Sequence, residues 1–475
     1  MTTSNTATTI HQVRQDYQYD SSVDGLLKNV YIPALNNVTF HATPLMEMFG
    51  EFGGQVDFAA NKIIKAFKHQ GAGGFGAISE GGDWVKSRVQ KGFQGAERIK
   101  YLNAFCSLSG PSARTVKAGA GGYVDAISSA MDDTLKLAKM QMERIIGGSG
   151  NGVVAQFTHG AIDEDAMANG EYVPSGAGAS GDTPVALTGT AGTGGYTPCQ
   201  WLQEGLRVHI MPTTELDGTI ATSDFVIDNA NTRALFTVTN VDYAAGTFAL
   251  KFTPYVSSST CDIDADTAAA MSVVLENAYG EIETAGGVTI DQCLEPNGLS
   301  GLVAADGTIW GLTRTTYPWA LKSTVEAAGG AELDEELLMG WILDLVNIKQ
   351  SVPDVLVTSP KARLKYFSNR KEDRRFDTPI IDTPFGFRST GVVIDQYTLM
   401  LQSLTSLKPD ELYMLKTGDF KFVKATNGFE WVTNDAGGYF RQREGSDNMY
   451  ASAVNYMNFV CENPNGQFKA TGLSY

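Results

Sequence analysis

Cysteine is scarce in this 475-residue chain, and its five copies are far apart, with no CxxC pair among them. This spacing argues against a disulfide framework and against a zinc site, and it predicts free, buried thiols in a reducing compartment. The cysteines are Cys106, Cys199, Cys261, Cys293 and Cys461.

Long apolar runs are also missing. No stretch approaches the ~18 apolar residues of a membrane-spanning helix, and the opening MTTSNTATTIHQVRQDYQYDSS has no apolar core of a signal peptide. We therefore expect no membrane partner and no export signal. Charged residues make up only 19% of the chain and glycine occurs 51 times, which favours β-structure and loops over helical bundles. The length favours two or three domains.

Catalytic motifs are absent from the sequence. There is no HExxH, no GxSxG and no other triad signature. The five histidines stand alone, without a partner at catalytic spacing, so we interpret each as structural. These features predict a protein that is not an enzyme. The histidines are His11, His41, His69, His159 and His209.

Two motifs hint at ligands but lack the residues that would complete them. The glycine-rich Gly71–Gly76 is followed by no GK[ST], so a phosphate loop is not expected. The DxDxD stretch at residues 262–266 resembles the start of a calcium loop, but Thr267 stands where glycine is needed and Val273 where the bidentate glutamate is needed. We therefore predict no cofactor and no metal.

Charge is unevenly distributed. The net charge of −17 argues against a general nucleic-acid binder. Residues 151–300 hold 19 acidic and 3 basic residues, a local net charge of −16, whereas residues 61–100 hold 8 basic and 3 acidic residues, a local net charge of +5. Such separation fits a protein whose copies meet at oppositely charged surfaces. It also fits two solvated faces in different surroundings.

The N-terminal part predicts extended structure. Residues 1–54 show no regular spacing of apolar residues. We interpret them as an extended arm that packs on another surface, often a neighbouring subunit. Residues 55–110 read as a long two-stranded excursion with a flexible glycine-rich tip. Its strand-like flanks are Gln55–Gln70 and Arg98–Ser109.

One long helix is predicted over Tyr123–Ile146, because apolar residues recur there in steps of three and four. Acids lie in its first half and bases in its second, which suits the helix dipole. The glycine-rich stretch that starts at Gly147 ends it. Its position between a basic β segment and a β-rich body suggests a spine, although the helix taken alone favours an ordinary long core helix.

The acidic module, residues 151–285, predicts short strands that form a small β-barrel or sandwich. A Gly/Ser/Thr-rich loop, Ser175–Tyr196, precedes most of them. The predicted strands are Leu206–Ile210, Phe225–Ile227, Ala234–Val241 and Thr247–Phe252.

Residues 286–475 predict a compact α/β body. An amphipathic helix spans Leu333–Ile348, and Val355–Thr358 is a buried strand. Ser359 then caps a helix that has Pro360 at its first position. Further on, Asn427-Gly428 predicts a hairpin, and Tyr450–Cys461 predicts a late strand.

The densest basic cluster follows the buried strand Val355–Thr358, with aromatic residues interleaved. It could contact nucleic-acid phosphates, pair with acidic faces of a neighbouring copy, or be a solvated helix and loop. Its members are Lys361, Arg363, Lys365, Arg370, Lys371, Arg374 and Arg375.

Four stretches carry a family resemblance: MERIIGGSGNGVV at residues 142–154, EGLRVHI at 204–210, PDVLVTSPKARLKYF at 353–367 and DELYMLKTGDFKFVK at 410–424. In this order they resemble the major capsid proteins of tailed bacteriophages, which have the Hong Kong 97-type fold. The resemblance implies an α+β fold with an N-arm, an extended (E) loop, a spine helix, peripheral (P) and axial (A) domains, and an inserted small β-barrel.

The resemblance also implies domain boundaries. The expected segments are an N-terminal arm (1–54), an E-loop hairpin (55–110), the spine helix of the P domain (111–150), an acidic β-barrel insertion (151–285), an A domain with associated body (286–430) and returning P-domain strands (431–475).

The function implied is that of a structural subunit that self-assembles into an icosahedral head around double-stranded DNA. Expected partners are many copies of itself, as hexamers and pentamers, with scaffolding, portal and decoration proteins as further candidates. The expected location is the virion, after assembly in the host bacterial cytoplasm. An encapsulin-like compartment is the alternative, and a β-rich hydrolase or adhesin a more remote one.

Two sets of contact residues follow from this reading. The E-loop is expected to contact an adjacent subunit's P domain, and the basic cluster to face DNA or another subunit. The E-loop set is Lys62, Lys65, Lys68, Phe75, Lys86 and Arg88, and the cluster set is Lys361, Arg363, Lys365, Arg370, Arg374 and Arg375.

Overall fold

The fold is that of a computed structural model. It describes residues 48–51, 62–70, 73–80, 82–109, 126–158, 171–172, 201–212, 235–242, 247–252, 270–285, 288–369, 380–382, 388–394, 397–426, 428–433, 439–442 and 447–474. The predictions for residues 1–47, for Ser175–Tyr196, for Phe225–Ile227 and for the 262–266 stretch lie outside these residues.

In the N-terminal part, the described residues form four strands and the long helix: β1 Gly50–Glu51, β2 Lys62–Gln70, β3 Lys91–Arg98, β4 Lys100–Leu108 and α1 Ala126–Gly147. β2 and β3 form an antiparallel ribbon in which Phe67 lies opposite Phe93.

The predicted second flank of this ribbon was wrong in its pairing. β4 does not pair with β2; it pairs along its whole length with the C-terminal strand Met449–Cys461. The alternation of buried and exposed side chains along β4 gives the physical reason. Cys106 and Leu108 are buried on one face while Tyr101 and Phe105 are exposed on the other, as in a strand that covers a core.

The predicted long helix is confirmed as α1, which has 22 residues. Met140 contributes to the core of the acidic module, whereas Met142, Ile145 and Ile146 contribute to the main core. The helix therefore stands between two cores, in keeping with the expected spine.

The described residues of the acidic module form six antiparallel strands: β5 Val153–Thr158, β6 Glu171–Tyr172, β7 Arg207–Pro212, β8 Phe236–Asp242, β9 Thr247–Phe252 and β10 Ala270–Leu275. Three of the predicted strands are thereby confirmed as β7, β8 and β9. The strand order is β5-β10-β7-β8-β9-β6.

The described strands of this module form an open sheet, and no closed barrel is seen among them, because the end strands β5 and β6 do not pair. Both faces of the central strand β7 are covered: Val208 and Ile210 lie in one cluster and Met211 in another. A sheet covered on both faces does not need closure to bury its apolar side chains.

Between this module and the body lie a hairpin and a compact loop segment: β11 Tyr279–Ala285, β12 Val288–Cys293, α2 Leu299–Leu302, β13 Thr308–Ile309, β14 Leu312–Thr313 and α3 Pro318–Leu321. β11 pairs with β12 and β13 with β14, both antiparallel.

The body then follows, with β15 Thr324–Ala327, α4 Glu335–Lys349, β16 Val355–Thr358, α5 Pro360–Asn369, β17 Ile380–Asp382, β18 Arg388–Ile394, β19 Tyr397–Ser403, β20 Leu412–Leu415, β21 Phe420–Lys424, β22 Glu430–Trp431, β23 Arg441–Gln442, β24 Met449–Cys461 and β25 Phe468–Thr471. Single 3-10 turns occupy Thr417–Asp419 and Pro464–Gly466.

Seven of these strands form a mixed sheet in the order β15-β25-β20-β16-β19-β18-β17. Helices α4 and α5 pack on one face of it, through Trp341 and Tyr366 among others. The predicted strand β16 and both predicted helices are confirmed. Ser359 caps α5 as expected, since its Oγ accepts a hydrogen bond from the Ala362 N–H at 3.2 Å.

The second large sheet is built around β24. β1 pairs with β21, and β24 pairs with β21, β22, β23 and β4. The hairpin predicted at Asn427-Gly428 was wrong, because β21 and β22 each pair with β24 and not with each other. The long buried strand offers more pairing and burial than a local hairpin, so tertiary context overrides the turn signal.

Within the described parts of the chain, no helix has the length and apolar character needed to cross a bilayer.

Candidate assembly interface

The arm, defined as the ribbon Lys62–Arg98, is the most exposed part of the described chain. Every described residue from 73 to 92 is exposed. The apolar side chains among them include Phe75, which is fully exposed, and Trp84, which is 87% exposed. A run of exposed apolar side chains of this extent is typical of a surface that another molecule covers.

The base of the arm is fixed by an aromatic cluster. Phe93 stacks between Phe67, with ring centroids 5.1 Å apart, and Tyr317, with centroids 4.3 Å apart. Trp310 meets Phe67 edge-on at 5.9 Å, and Trp319 meets Phe93 edge-on at 5.6 Å. We call these five rings the aromatic root. Stacked and edge-on pairs of this kind favour one orientation of the arm over others.

The two-residue turn between β13 and β14 contacts the arm next to the aromatic root. Trp310 and Gly311 connect β13 to β14 with φ values of 55° and 66°. A tryptophan at positive φ is strained, and it is held by the arm: its N–H donates to Glu97 Oε1 at 2.6 Å and its carbonyl accepts from the Ala96 N–H at 2.9 Å. A Cβ at Gly95 would lie 2.6 Å from the Trp310 Cβ, so this contact requires glycine.

Glu97 is therefore a half-buried acid at the point where the arm joins the body. Burial raises the pKa of Glu97, while the hydrogen bond from Trp310 and the charges of Lys100 and Arg314 oppose that rise. Its ionised form is costly at this position.

Arg314 binds the chain segments that flank the β13–β14 hairpin. It is fully buried, and burial lowers its pKa to about 10. Its guanidinium donates to four carbonyls at the ends of the short helices α2 and α3, where such groups have no helical partner. The acceptors are the carbonyls of Gly301, Leu302, Ala304 and Leu321, at 2.8 to 2.9 Å.

The predicted E-loop contact residues all lie on the arm. Phe75, Lys68, Lys86 and Arg88 are exposed. Lys65 instead pairs within the chain, with its Nζ 2.9 Å from a carboxylate oxygen of Glu462. The side chain of Lys62 lies outside the described part of the chain. Their role as contacts stays a prediction.

A second exposed apolar surface lies on the sheet built around β24. Tyr101 and Tyr456 meet edge-on at 5.1 Å, and Phe105 stacks with Tyr450 at 5.7 Å. Tyr101 is 54% exposed and Phe105 58% exposed. We call these four rings the aromatic sheet face. It was not predicted, because β4 was expected to pair with the wrong strand, although Tyr450 and Tyr456 lie on one face of the late strand and carried the signal.

The basic cluster is partly neutralised within the chain. Lys365 Nζ lies 2.8 Å from a carboxylate oxygen of Glu332, and Arg363 donates to Ser403 Oγ at 3.1 Å. Burial lowers the pKa of Arg363, while Lys361 is exposed. Arg370, Arg374 and Arg375 lie outside the described residues, so the cluster is not seen as a whole.

A buried ion pair without any local sequence signal fastens the acidic module to α1. Arg144, near the end of α1, contacts the Glu295 carboxylate that follows β12. Arg144 also donates to the Val153 carbonyl at 2.8 Å, and Glu295 accepts from the Gly152 N–H at 2.9 Å. The chain segments that lead into and out of the acidic module are thus both bound to α1. Glu295 lies 151 residues from Arg144, so no local pattern could have paired them.

No cluster of three or more His, Cys, Asp or Glu side chains that could hold a metal ion occurs in the parts of the chain that the structure describes.

Comparison with known proteins gave structural matches only. No family model matches the chain, and no curated protein sequence matches it. The chain is similar to the capsid protein of cyanophage A-1(L), with a TM-score of 0.46, 10% identity and coverage of 95% of this chain and 98% of that one. The chain is also similar to the capsid protein of the Myoviridae phage XM1, with a TM-score of 0.42, 8% identity and coverage of 94% of this chain and 97% of that one.

An encapsulin complex of Synechococcus elongatus gives a TM-score of 0.40 and 8% identity, and covers 100% of this chain and 97% of that one. Phage capsid proteins and an encapsulin are thus both among the solved structures that this chain resembles.

Proposed function

We propose that the chain is a structural subunit of a closed shell, the major capsid protein of a tailed bacteriophage, and that it is not an enzyme. The observation that carries this proposal is the arm. It exposes Phe75 and Trp84 at its tip while its base is held rigidly by the aromatic root. A rigid base with an apolar tip is suited to reaching another molecule, and repeated copies of one chain supply that molecule at every position of a symmetric shell.

The arm of one copy lies across the body of a neighbour, which includes the aromatic sheet face. Tyr101 and Phe105 offer the exposed rings that an apolar arm would cover. The basic arm meets a neighbour whose residues 151–300, which include the acidic module, are strongly acidic. Complementary charge of this kind steers association and fixes register.

The Hong Kong 97-type arrangement assigns the remaining segments. Residues 1–54 form the N-arm, 55–110 the E-loop and 111–150 the spine helix, while 151–285 are an insertion that projects outward. Residues 286–430 form the A domain with its associated body, and 431–475 return to the P domain. The pairing of β4 with β24 supports the last assignment, because it joins the end of the E-loop to the C-terminal strand.

The shell encloses double-stranded DNA that it contacts without sequence specificity. Lys361 and the neighbouring basic residues face the DNA or an adjacent subunit. Scaffolding, portal and decoration proteins are the further partners, and the shell assembles in the host cytoplasm before it becomes part of the virion.

The test is to express the chain in bacteria and to examine it by negative-stain microscopy and light scattering. Closed shells or rings of capsomers are expected. Nuclease-protected DNA inside shells assembled during infection would distinguish a phage head from an encapsulin-like compartment, which would hold protein.

A monodisperse monomer that persists when a scaffolding protein is supplied would contradict the proposal. Cleavage of glycans by that monomer would favour the hydrolase or adhesin reading instead.

A further inference from the structure

A groove opens on the arm just above its base. It has a volume of about 540 Å³, within the range of roughly 300–1,000 Å³ that holds small ligands. Phe67 and Phe93 line it with rings that are half-buried and stacked on each other, and Lys68 and Gln90 stand at its sides. Its walls therefore combine aromatic surface with positive charge.

The tip of the same arm has the opposite character. Trp84 is 87% exposed, and it is preceded at once by Asp83, with Glu80 three residues further back. These are the only acids in residues 62–96, whereas the residues that line the groove include Lys68 and no acid. Lys68, Glu80 and Asp83 form no ion pair within the described part of the chain.

A tip cannot reach the groove of its own copy in this arrangement. The two limbs of the arm stay side by side as far as Gly74, where a Cβ would lie 2.4 Å from the Lys86 carbonyl oxygen. Trp84 lies nine residues from Phe93, up to about 30 Å at about 3.3 Å per residue of extended chain. The occupant of the groove must come from elsewhere.

We infer that the groove of one copy receives the tip of another copy's arm, with Trp84 against Phe67 and Phe93 and with Asp83 beside Lys68. This rests on the proposed function and deepens it, because it states where on a neighbour the arm ends. The match is one of aromatic surface to aromatic surface and of negative to positive charge. Each copy gives one tip and receives one, so the contact repeats around a ring of copies.

The first test is a photo-cross-link in assembled shells. The photoreactive residue p-benzoyl-phenylalanine replaces Trp84, and shells are formed from a mixture of isotope-labelled and unlabelled chains. Cross-links between different chains, to peptides that contain residues 66–68 or 92–94, are expected. The control places the same group at Ile348, which is 71% exposed on α4 and should not label those peptides. Labelling of other peptides by position 84 would overturn the inference.

The second test exchanges the charges. Asp83→Lys alone and Lys68→Glu alone should each slow shell assembly about fivefold, the size expected for loss of one exposed ion pair. The two changes together should bring assembly back to within about twofold of the wild type. Asp83→Lys with Lys139→Glu is the matched control, since Lys139 is exposed on α1 and the net charge is restored without restoring the contact.

Equal rescue by both combinations, or no effect of Asp83→Lys, would overturn the inference. Failure of the wild type to form shells would instead overturn the proposed function, so the two failures are distinguishable.

Discussion

Replacement of Arg144 by methionine should loosen the acidic module from α1. Arg144 is 3% exposed and Glu295 6% exposed, so the pair is almost fully removed from water. Arg144→Met keeps an apolar side chain of similar length but leaves the Glu295 carboxylate with the Gly152 N–H and without its ion-pair partner. An isolated buried charge is far less stable than a buried pair.

The expected loss is about 3 kcal/mol or more, since removal of one partner from a buried ion pair costs ~3–5 kcal/mol. Glu295→Gln combined with Arg144→Met removes both charges and should recover more than half of that loss. Lys136→Met is the matched control on the same helix. Its ion pair with Asp133 is exposed, with 3.5 Å between the charged atoms, and should contribute less than about 0.5 kcal/mol.

Hydrogen exchange measured by mass spectrometry gives the local free energy. A loss of 3 kcal/mol corresponds to roughly 150-fold faster exchange where amides exchange through local opening. The effect should appear in peptides that cover residues 151–158 and 288–297. Acceleration of less than about tenfold, or a double variant no better than Arg144→Met alone, would refute the view that this pair fastens the module.

Three further outcomes are expected. Gly95→Val places a side chain against Trp310, because an added Cβ would lie 2.6 Å from the Trp310 Cβ. It should cost about 1–3 kcal/mol at the arm base and lower shell yield in sedimentation, while hydrogen exchange in α1 stays unchanged. Burial raises the pKa of Glu97, so above pH ~4.5 the native state binds more protons than the unfolded state. Ionisation of Glu97 therefore lowers the stability of the protein as pH rises. Glu97→Gln should raise the melting temperature at pH 7 and leave it nearly unchanged at pH 4. Burial alone would raise the pKa of Glu411, but Lys469 and the other partners of Glu411 lower this pKa overall. Lys469→Met should therefore lower the free energy of unfolding by about 3 kcal/mol at pH 7, measured with denaturant. The loss should be smaller at pH 3, where protonation of Glu411 removes the buried charge.

Local patterns were sufficient to predict the three longest described helices and several of the strands. The steps of three and four in residues 123–146 predicted α1, and the Ser-Pro pair at Ser359 predicted the start of α5. Both signals depend on neighbours in sequence, which propensity and capping describe well. The burial of β16 was equally visible in its short apolar run.

The pairing of distant strands could not be predicted in the same way. β4 and β24 are separated by more than 300 residues, and either could have paired locally. The Asn427-Gly428 signal favoured a local hairpin, yet β21 and β22 gain more by pairing with the buried β24. Local preference in a strand is weaker than packing across a sheet.

The candidate interface was predicted in outline only. The position of the basic arm and its exposed Phe75 followed from sequence, but the aromatic root did not, because Tyr317 lies more than 200 residues beyond Phe67 and Phe93 in the chain. The strained Trp310 is a non-glycine residue at positive φ, a state that tertiary contacts impose and that the local sequence did not indicate.

Shortening of the arm tests the central claim most directly. Gly73 and Arg88 pair across the arm, with the Arg88 N–H donating to the Gly73 carbonyl at 3.0 Å. Replacement of residues 74–87 by Asn-Gly would close the ribbon with a two-residue turn and remove the exposed tip. Particle mass is then measured by sedimentation beside the wild type. Shells are expected for the wild type, and folded, unassembled subunits for the shortened chain. Shells of normal size and yield from the shortened chain would contradict the assigned role of the arm in assembly.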